Sequence, residues 1–589
     1  MAFHLSMLTL LVITEVVVYG QEVTINTKLG SIIGLKTLAL NNDVYIFRKI
    51  PYAKAPIGKL RFENPQPYGP WDNTLDGRAS APSCFQILDP LLEDVYQLSE
   101  DCLFLDIYVP FEVSTNNTKS VMIWIHFGAY QSGQMSNFDG SQLAITGNVI
   151  IVTIQYRLNV FGFFSTGAIK GNYGLWDQLL AIRWVNENID SFGGDNQSIT
   201  IFGEDAGGFS VGLLTLIPSN TGLFQKAIMQ SGTSMSLSLQ GTYTEAASLK
   251  IIEYLRCPTT ETTLDCLRKL PAEVLIEAYN AVKTAQGGAL PFQIPLSPVI
   301  DGELLTNDPI ELLENTESEA SIFYRSLDVV IGTMSGEESV LLQAFQSGLQ
   351  DIFNFDANDH IPRHFLCNVL APAMSAMTYG NNSKVTKAIC EEYGESSNEI
   401  ELSKSILYAF SDFIFNIPTA RSLRLHSEIS SGNGRQYQYI FSRLHPYFKL
   451  LYHFPSWFDG ALHSAEIMYQ FPNVAIPLTS QDEDLKTSFM KYWTNFAKTG
   501  DVNEEGLPQW NEYDILNEYY INLDVEITSG QHLYEDRVNF WLKEIPAMLQ
   551  TEIQINTTDA IRNKAPSGKT VKIITTVLML TLAVSVWKQ

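Results

Sequence analysis

Gly203-Glu204-Asp205-Ala206-Gly207 lies where a strand-like run, Ser198-Ile199-Thr200-Ile201-Phe202, gives way to a helix-like run, Gly208-Phe209-Ser210-Val211-Gly212-Leu213-Leu214. A Gly-x-Ser-x-Gly in this strand–turn–helix setting is a nucleophile elbow, in which flanking glycines allow a turn sharp enough to push the central side chain into a site. Every feature of that elbow is present except the serine. The apex is Asp205.

Working outward, the sequence predicts strands over 120–126, 149–156 and 198–202, and a helix over 177–189 that ends near Gly193-Gly194. Such alternation predicts an α/β fold with a large, mostly parallel sheet and helices on both faces. Hydrophobic residues make up 45% of the 589, enough for a packed core. Nothing resembling a linker interrupts residues 21–555, which read as one domain, with 556–572 as a polar stalk. The net charge of −26 disfavours binding to nucleic acid or bare anionic lipid and reads as a solvated acidic surface.

Both ends carry processing signals. Residues 5–18 are apolar and run into Val18-Tyr19-Gly20 and then Gln21, a pattern of cleavage after Gly20, so 1–20 read as a signal peptide. The tail 573–589 is apolar up to Lys588-Gln589 and shorter than the roughly 20 residues of a spanning helix. Small and polar residues precede it, Asn563-Lys564-Ala565-Pro566-Ser567-Gly568-Lys569, in the order of a GPI-attachment signal whose tail is removed; a short membrane anchor is the alternative. Secretion gives the six cysteines a meaning: spacing pairs Cys84 with Cys102, Cys257 with Cys266 and Cys367 with Cys390. Sequons at Asn116, Asn196, Asn381 and Asn556 agree with a glycosylated ectodomain.

Further stretches carry a resemblance. They include Ile50-Pro51-Tyr52-Ala53, Ser99-Glu100-Asp101-Cys102-Leu103-Phe104-Leu105, Gln155-Tyr156-Arg157-Leu158-Asn159 and Gly171-Asn172-Tyr173-Gly174-Leu175-Trp176-Asp177-Gln178. Phe192-Gly193-Gly194-Asp195, Gln230-Ser231-Gly232-Thr233 and Tyr492-Trp493-Thr494-Asn495-Phe496-Ala497 follow in order. Over nearly its whole mature length the chain resembles the type-B carboxylesterase and cholinesterase family, which implies the α/β-hydrolase fold with its large twisted central sheet. The family's triad runs Ser, acid, His along the chain. The resemblance puts the serine at Asp205, the acid at Glu337 and the histidine at His463. Glu338 stands where the family usually has a glycine, which leaves the register between the two glutamates open.

The same resemblance places the oxyanion hole at the backbone N–H groups of Gly128, Ala129 and Ala206. The usual His-Gly-Gly-Gly is His126-Phe127-Gly128-Ala129 here. Neither Phe127 nor Ala129 has glycine's access to positive φ, so a shifted loop is expected, with Phe127 filling part of the gorge. The loop from Cys84 to Cys102 lacks the tryptophan with which cholinesterases hold a quaternary ammonium. No metal or organic cofactor is expected.

Aspartate is a poor substitute for serine on an ester. A tetrahedral adduct would expel a carboxylate, whose acid has pKa about 4, before an alkoxide as basic as hydroxide, whose parent water has pKa about 15.7. A carboxylate about 4 Å from the developing oxyanion, at an effective dielectric near 20, costs roughly 4 kcal/mol in repulsion. Losing a triad serine costs about 10⁶ in turnover. The expected function is therefore a catalytically impaired, cell-surface ectodomain engaged in ligand or protein recognition or adhesion, similar to neuroligins, glutactin and neurotactin. The alternatives are a hydrolase using Asp205 on epoxides or haloalkanes, or a residual carboxylic ester hydrolase. Expected partners are an extracellular protein or small molecule, the membrane through a lipid anchor, and a second copy in a homodimer through 535–549. A buried ion pair between Asp205 and a protonated His463, with neighbouring N–H groups holding the second carboxylate oxygen, is the expected structural consequence.

Overall fold

A computed structural model describes residues 20–87, 96–111, 117–236, 241–285, 290–427, 434–472 and 476–550. Residues 1–19 of the expected signal peptide, the expected stalk and hydrophobic tail, Asn116 and Asn556 lie outside them. The chain divides into a unit ending at Glu535 and a second one starting at Asp536, each described by itself. The helix Glu535–Asn539 continues into a π-helical turn, Phe540–Glu544, within the segment expected to dimerise.

The first unit is built on one sheet. In chain order its strands are β1 (Gln21–Thr27), β2 (Gly30–Ala39), β3 (Asn42–Pro51) and β4 (Leu75–Asp76). A separate short pair, β5 (Ser83–Cys84) and β6 (Leu98–Ser99), follows. The sheet resumes with β7 (Phe104–Pro110), β8 (Lys119–Ile125), β9 (Ile150–Ile154), β10 (Gly194–Glu204) and β11 (Lys226–Gln230). It ends with β12 (Asp328–Met334), β13 (Gln436–Phe441), β14 (Tyr519–Leu523) and β15 (Thr528–Gln531). The strand order is β1-β2-β3-β7-β9-β8-β10-β11-β12-β13-β14-β15, with β4 beside β2. The block from β9 to β14 is parallel, whereas both flanks are antiparallel apart from β4, which runs parallel to β2. This is the α/β fold expected, and the predicted strands fall on β8, β9 and β10.

Parallel strands are covered on both faces and need apolar side chains throughout. Accordingly Val121–Ile125, Ile150–Ile154, Ile199–Phe202 and Val329–Ile331 are buried at every position. The helix expected over 177–189 starts earlier and spans Tyr173–Asn188, because Asn172 in the left-handed region at φ 58° forms its entry. All three disulfides pair as the spacing predicts, with Cα–Cα separations of 5.0, 5.8 and 5.0 Å. Binding sites in such sheets gather at the carboxyl ends of the parallel strands. Asp205, Glu337 and the loop after Ile125 all follow such ends, those of β10, β12 and β8.

The elbow is made by lack of room. A side-chain carbon on Gly207 would lie 2.0 Å from the Ile125 carbonyl oxygen, and one on Gly203 would lie 2.6 Å from Gly207. The positive φ belongs to the apex: Asp205 has φ 50° and ψ −120°. A non-glycine residue held there stores about 1–3 kcal/mol. Two backbone bonds hold it: Asp205 N–H donates to the Gln230 carbonyl (3.0 Å), and Phe209 N–H donates to the Asp205 carbonyl (2.8 Å).

Gly207→Ala should therefore lower stability by about 3 kcal/mol or more, the upper range of forced overpacking. Gly241→Ala, whose added carbon meets nothing within 4 Å among the described residues, should stay within about 1 kcal/mol of wild type. Denaturant unfolding of both variants checks this pair.

Candidate active site

The loop after β8 carries Gly128 and Ala129, whose N–H groups are expected to be oxyanion donors. His126 stacks on Tyr156 with ring centroids 4.4 Å apart, and its Nδ1 meets the Phe127 carbonyl oxygen at 2.8 Å. Burial pulls this imidazole down to about 4, so it stays neutral. Gly128 takes φ 126°, and its carbonyl accepts from the N–H groups of Gln131 (2.8 Å) and Ser132 (3.1 Å). Gln86, beside the Cys84–Cys102 disulfide, bonds both N–H and C=O of Gly133. The loop is tied at both ends of its turn.

The expected consequence of Ala129 is corrected by this geometry. Ala129 takes φ 50° and Tyr130 φ 61°, so the loop keeps positive φ despite losing glycine. The surrounding bonds over-determine a conformation that costs alanine about 1–3 kcal/mol. Phe127 is buried edge-on against Phe138, with centroids 5.4 Å apart, in a ring cluster with Trp124 and Phe471.

The donors of this loop meet the elbow directly. Gly128 N–H and Ala129 N–H both donate to Asp205 Oδ2, at 3.2 and 2.9 Å. One oxygen of the apex carboxylate therefore sits on two of the N–H groups expected to hold an oxyanion. The other, Oδ1, stands 3.9 Å from His463 Nε2.

Glu337 and His463 come from loops zipped together. Ser339 Oγ accepts from His463 N–H (2.9 Å), Ser335 Oγ accepts from Ala461 N–H (2.9 Å), and Gly336 pairs with Leu462. Glu337 Oε2 meets His463 Nδ1 at 2.5 Å, while Oε1 accepts from Met334 N–H at 2.8 Å. Glu338 instead accepts from Ser411 Oγ at 2.5 Å. The open register between the two glutamates closes on Glu337.

The expected ion pair needs correcting in its partner. The carboxylate nearest His463 Nε2 is Glu204 Oε1 at 3.2 Å, nearer than Asp205. Ser464 Oγ also donates to Glu204 Oε1, at 2.6 Å. Burial alone would lower the imidazole, but Glu204, Glu337 and Asp205 outweigh it and raise His463 to about 10. Burial works against the charge on Glu204, and the imidazolium beside it opposes that effect. Behind lies a second buried acid, Glu466, which accepts from Gln230 Nε2 at 3.1 Å and is pushed up to about 7 by burial. Sequence reasoning assigned Glu204 and Glu466 no role; Glu204 adjoins the elbow apex and Glu466 lies three residues past His463, and that nearness was the available signal. Among the described residues no group of three or more His, Cys, Asp and Glu could hold a metal ion.

The folded imidazole titrates above the ordinary value of about 6.5. Its interactions therefore stabilise the fold fully below about pH 6.5, and that contribution is lost as the pH rises through about 10. Ring-proton NMR should place the His463 midpoint near about 10, and Glu204→Gln should lower it. A wild-type midpoint at or below about 6.5 would contradict the carboxylate cluster.

With this geometry in hand, the relatives are informative. The carboxylesterase family model matches residues 21–541. The chain is similar to carboxylesterase 5A of Homo sapiens, 32% identical over 557 residues, covering 89% of each protein. It is 34% identical to acylcarnitine hydrolase of Mus musculus over 551 residues, covering 88% of this chain and 90% of the relative. Cocaine esterase of Homo sapiens is 32% identical over 550 residues, with 89% and 90% covered. The chain belongs to the carboxylesterase family.

Proposed function

We propose that this protein is a carboxylesterase-fold ectodomain that no longer turns over carboxylic esters and acts by recognition at the cell surface. One observation carries the first half: Asp205 Oδ2 accepts the N–H groups of Gly128 and Ala129. An ester carbonyl would have to displace this oxygen to be polarised, and would then develop its charge beside a carboxylate. At about 4 Å that repulsion is worth roughly 4 kcal/mol. Acylation of Asp205 would also collapse backwards, because the carboxylate leaves more readily than an alkoxide.

The second half rests on the ends of the chain and on resemblance. The signal-like start at 1–20 and the small-polar-then-apolar order of 556–589 support an extracellular protein held by a GPI anchor. Lack of a complete serine triad is a feature shared with the esterase-like adhesion ectodomains of neuroligins, glutactin and neurotactin. A partner protein or a small ligand retained without turnover fits that role, and a homodimer through 535–549 fits the family's use of C-terminal helices.

Asp205→Ser should restore activity toward p-nitrophenyl acetate and butyrate, at least about tenfold above wild type, given the weight a serine carries in such a triad. Wild-type turnover within about tenfold of the variant would contradict the reading. For the anchor, a phosphatidylinositol-specific phospholipase should release the protein from expressing cells into the medium; retention on the cells would count against GPI attachment.

A further inference from the structure

The placement that blocks ester chemistry leaves one oxygen of Asp205 free to do something else. Oδ2 is fixed by two N–H donors, and the elbow fixes the backbone. Oδ1 faces His463 Nε2 across 3.9 Å, and both side chains keep 11% of their surface exposed. A carboxylate is a competent nucleophile at saturated carbon, where no carbonyl adduct forms to collapse backwards. We propose that Asp205 is a nucleophile toward epoxides, with Oδ1 attacking a ring carbon and His463 acting first as acid and then as base.

The electrons balance as follows. An Oδ1 lone pair forms the new C–O bond, the strained ring C–O bond breaks, and its pair takes the proton from His463 Nε2. The product is a hydroxyalkyl ester on Asp205 beside a neutral imidazole. That imidazole then removes a proton from water, and the hydroxide attacks Asp205 Cγ. The resulting oxyanion is Oδ2 itself, already in the grip of Gly128 and Ala129 N–H. Collapse expels the alkoxide, which recovers the proton from His463 to give a vicinal diol. The imidazolium returns with the proton that remains once Asp205 is again a carboxylate. Epoxide and water are consumed and a diol is formed.

The same site discriminates against alkyl halides. Glu337 and Glu204 keep the resting imidazole protonated, at 2.5 and 3.2 Å from its nitrogens. Opening an epoxide consumes that proton and so creates the base that the second step needs. A departing halide takes no proton, so His463 stays cationic and water is not activated. Glu204 and Glu337 also repel the leaving anion. An alkyl halide therefore leaves the protein unmodified or stalls as an ester.

The test uses styrene oxide and 1,2-epoxyhexane as probes on the full secreted protein, with Asp205→Asn and His463→Gln variants checked by circular dichroism. Wild type should form diol at least about tenfold above Asp205→Asn. A transient mass increase equal to the epoxide should map to the peptide holding Asp205. His463→Gln should form no diol, and any adduct it makes should persist. With protein in excess in ¹⁸O-water, the first turnover should place the label in Asp205 and not in the diol, a readout on wild type that does not depend on any variant folding. 1-Bromobutane should give no sustained turnover. The proposal is overturned by absence of both adduct and diol above Asp205→Asn, by first-turnover label in the diol, or by continued release of bromide. Ester silence is measured separately, so either reading can fail without the other.

Discussion

The space between β8 and β10 leaves no room for side-chain carbon at Gly203 or Gly207, and that close approach fixes everything at the elbow. With the strand end and the following helix pressed against Ile125, residue 205 has to turn through φ 50° and present its side chain into the mouth of the oxyanion loop. In a serine enzyme that position aims a hydroxyl at a substrate. A carboxylate is longer and carries a second oxygen, and the nearest unsatisfied donors, the N–H groups of Gly128 and Ala129, take it. Asp205 thus takes both N–H groups with a single carboxylate oxygen.

His463 shows the electrostatic cost of this arrangement. Three carboxylates, Glu337, Glu204 and Asp205, lie within 3.9 Å of one imidazole. A serine at 205 would leave two. Glu204 and Glu337, with Asp205 adding least, hold the ring as an imidazolium, which cannot remove a proton until it has lost its own. It can give a proton away, and that asymmetry separates reactions that begin by protonating a leaving oxygen from those that begin by deprotonating an attacking one.

Much of the fold and the triad frame was legible in the residues. Period and glycine punctuation marked β8, β9, β10 and the elbow, short spacings marked the three disulfides, and ordered motifs marked Glu337 and His463. Three things were not legible, each for a physical reason. The antiparallel flank of β1 to β3 has mixed exposure and weaker patterning. The positive φ of Ala129 is imposed by bonds from Gln131, Ser132 and Gln86 to neighbouring loop atoms, a tertiary override that no local preference announces. Glu204 stands in the quoted motif itself, yet its approach to His463 depends on β10 and the loop of Ser464 meeting in space.

The central claim is that the Asp205 carboxylate fills the oxyanion site. Amide spectra of protein labelled with ¹⁵N at glycine and alanine test it most directly, through the Gly128 and Ala129 N–H resonances in wild type and Asp205→Ala. Loss of a carboxylate acceptor should move both amide protons upfield together and speed their exchange with solvent. Unchanged resonances and unchanged exchange for both residues would contradict the account.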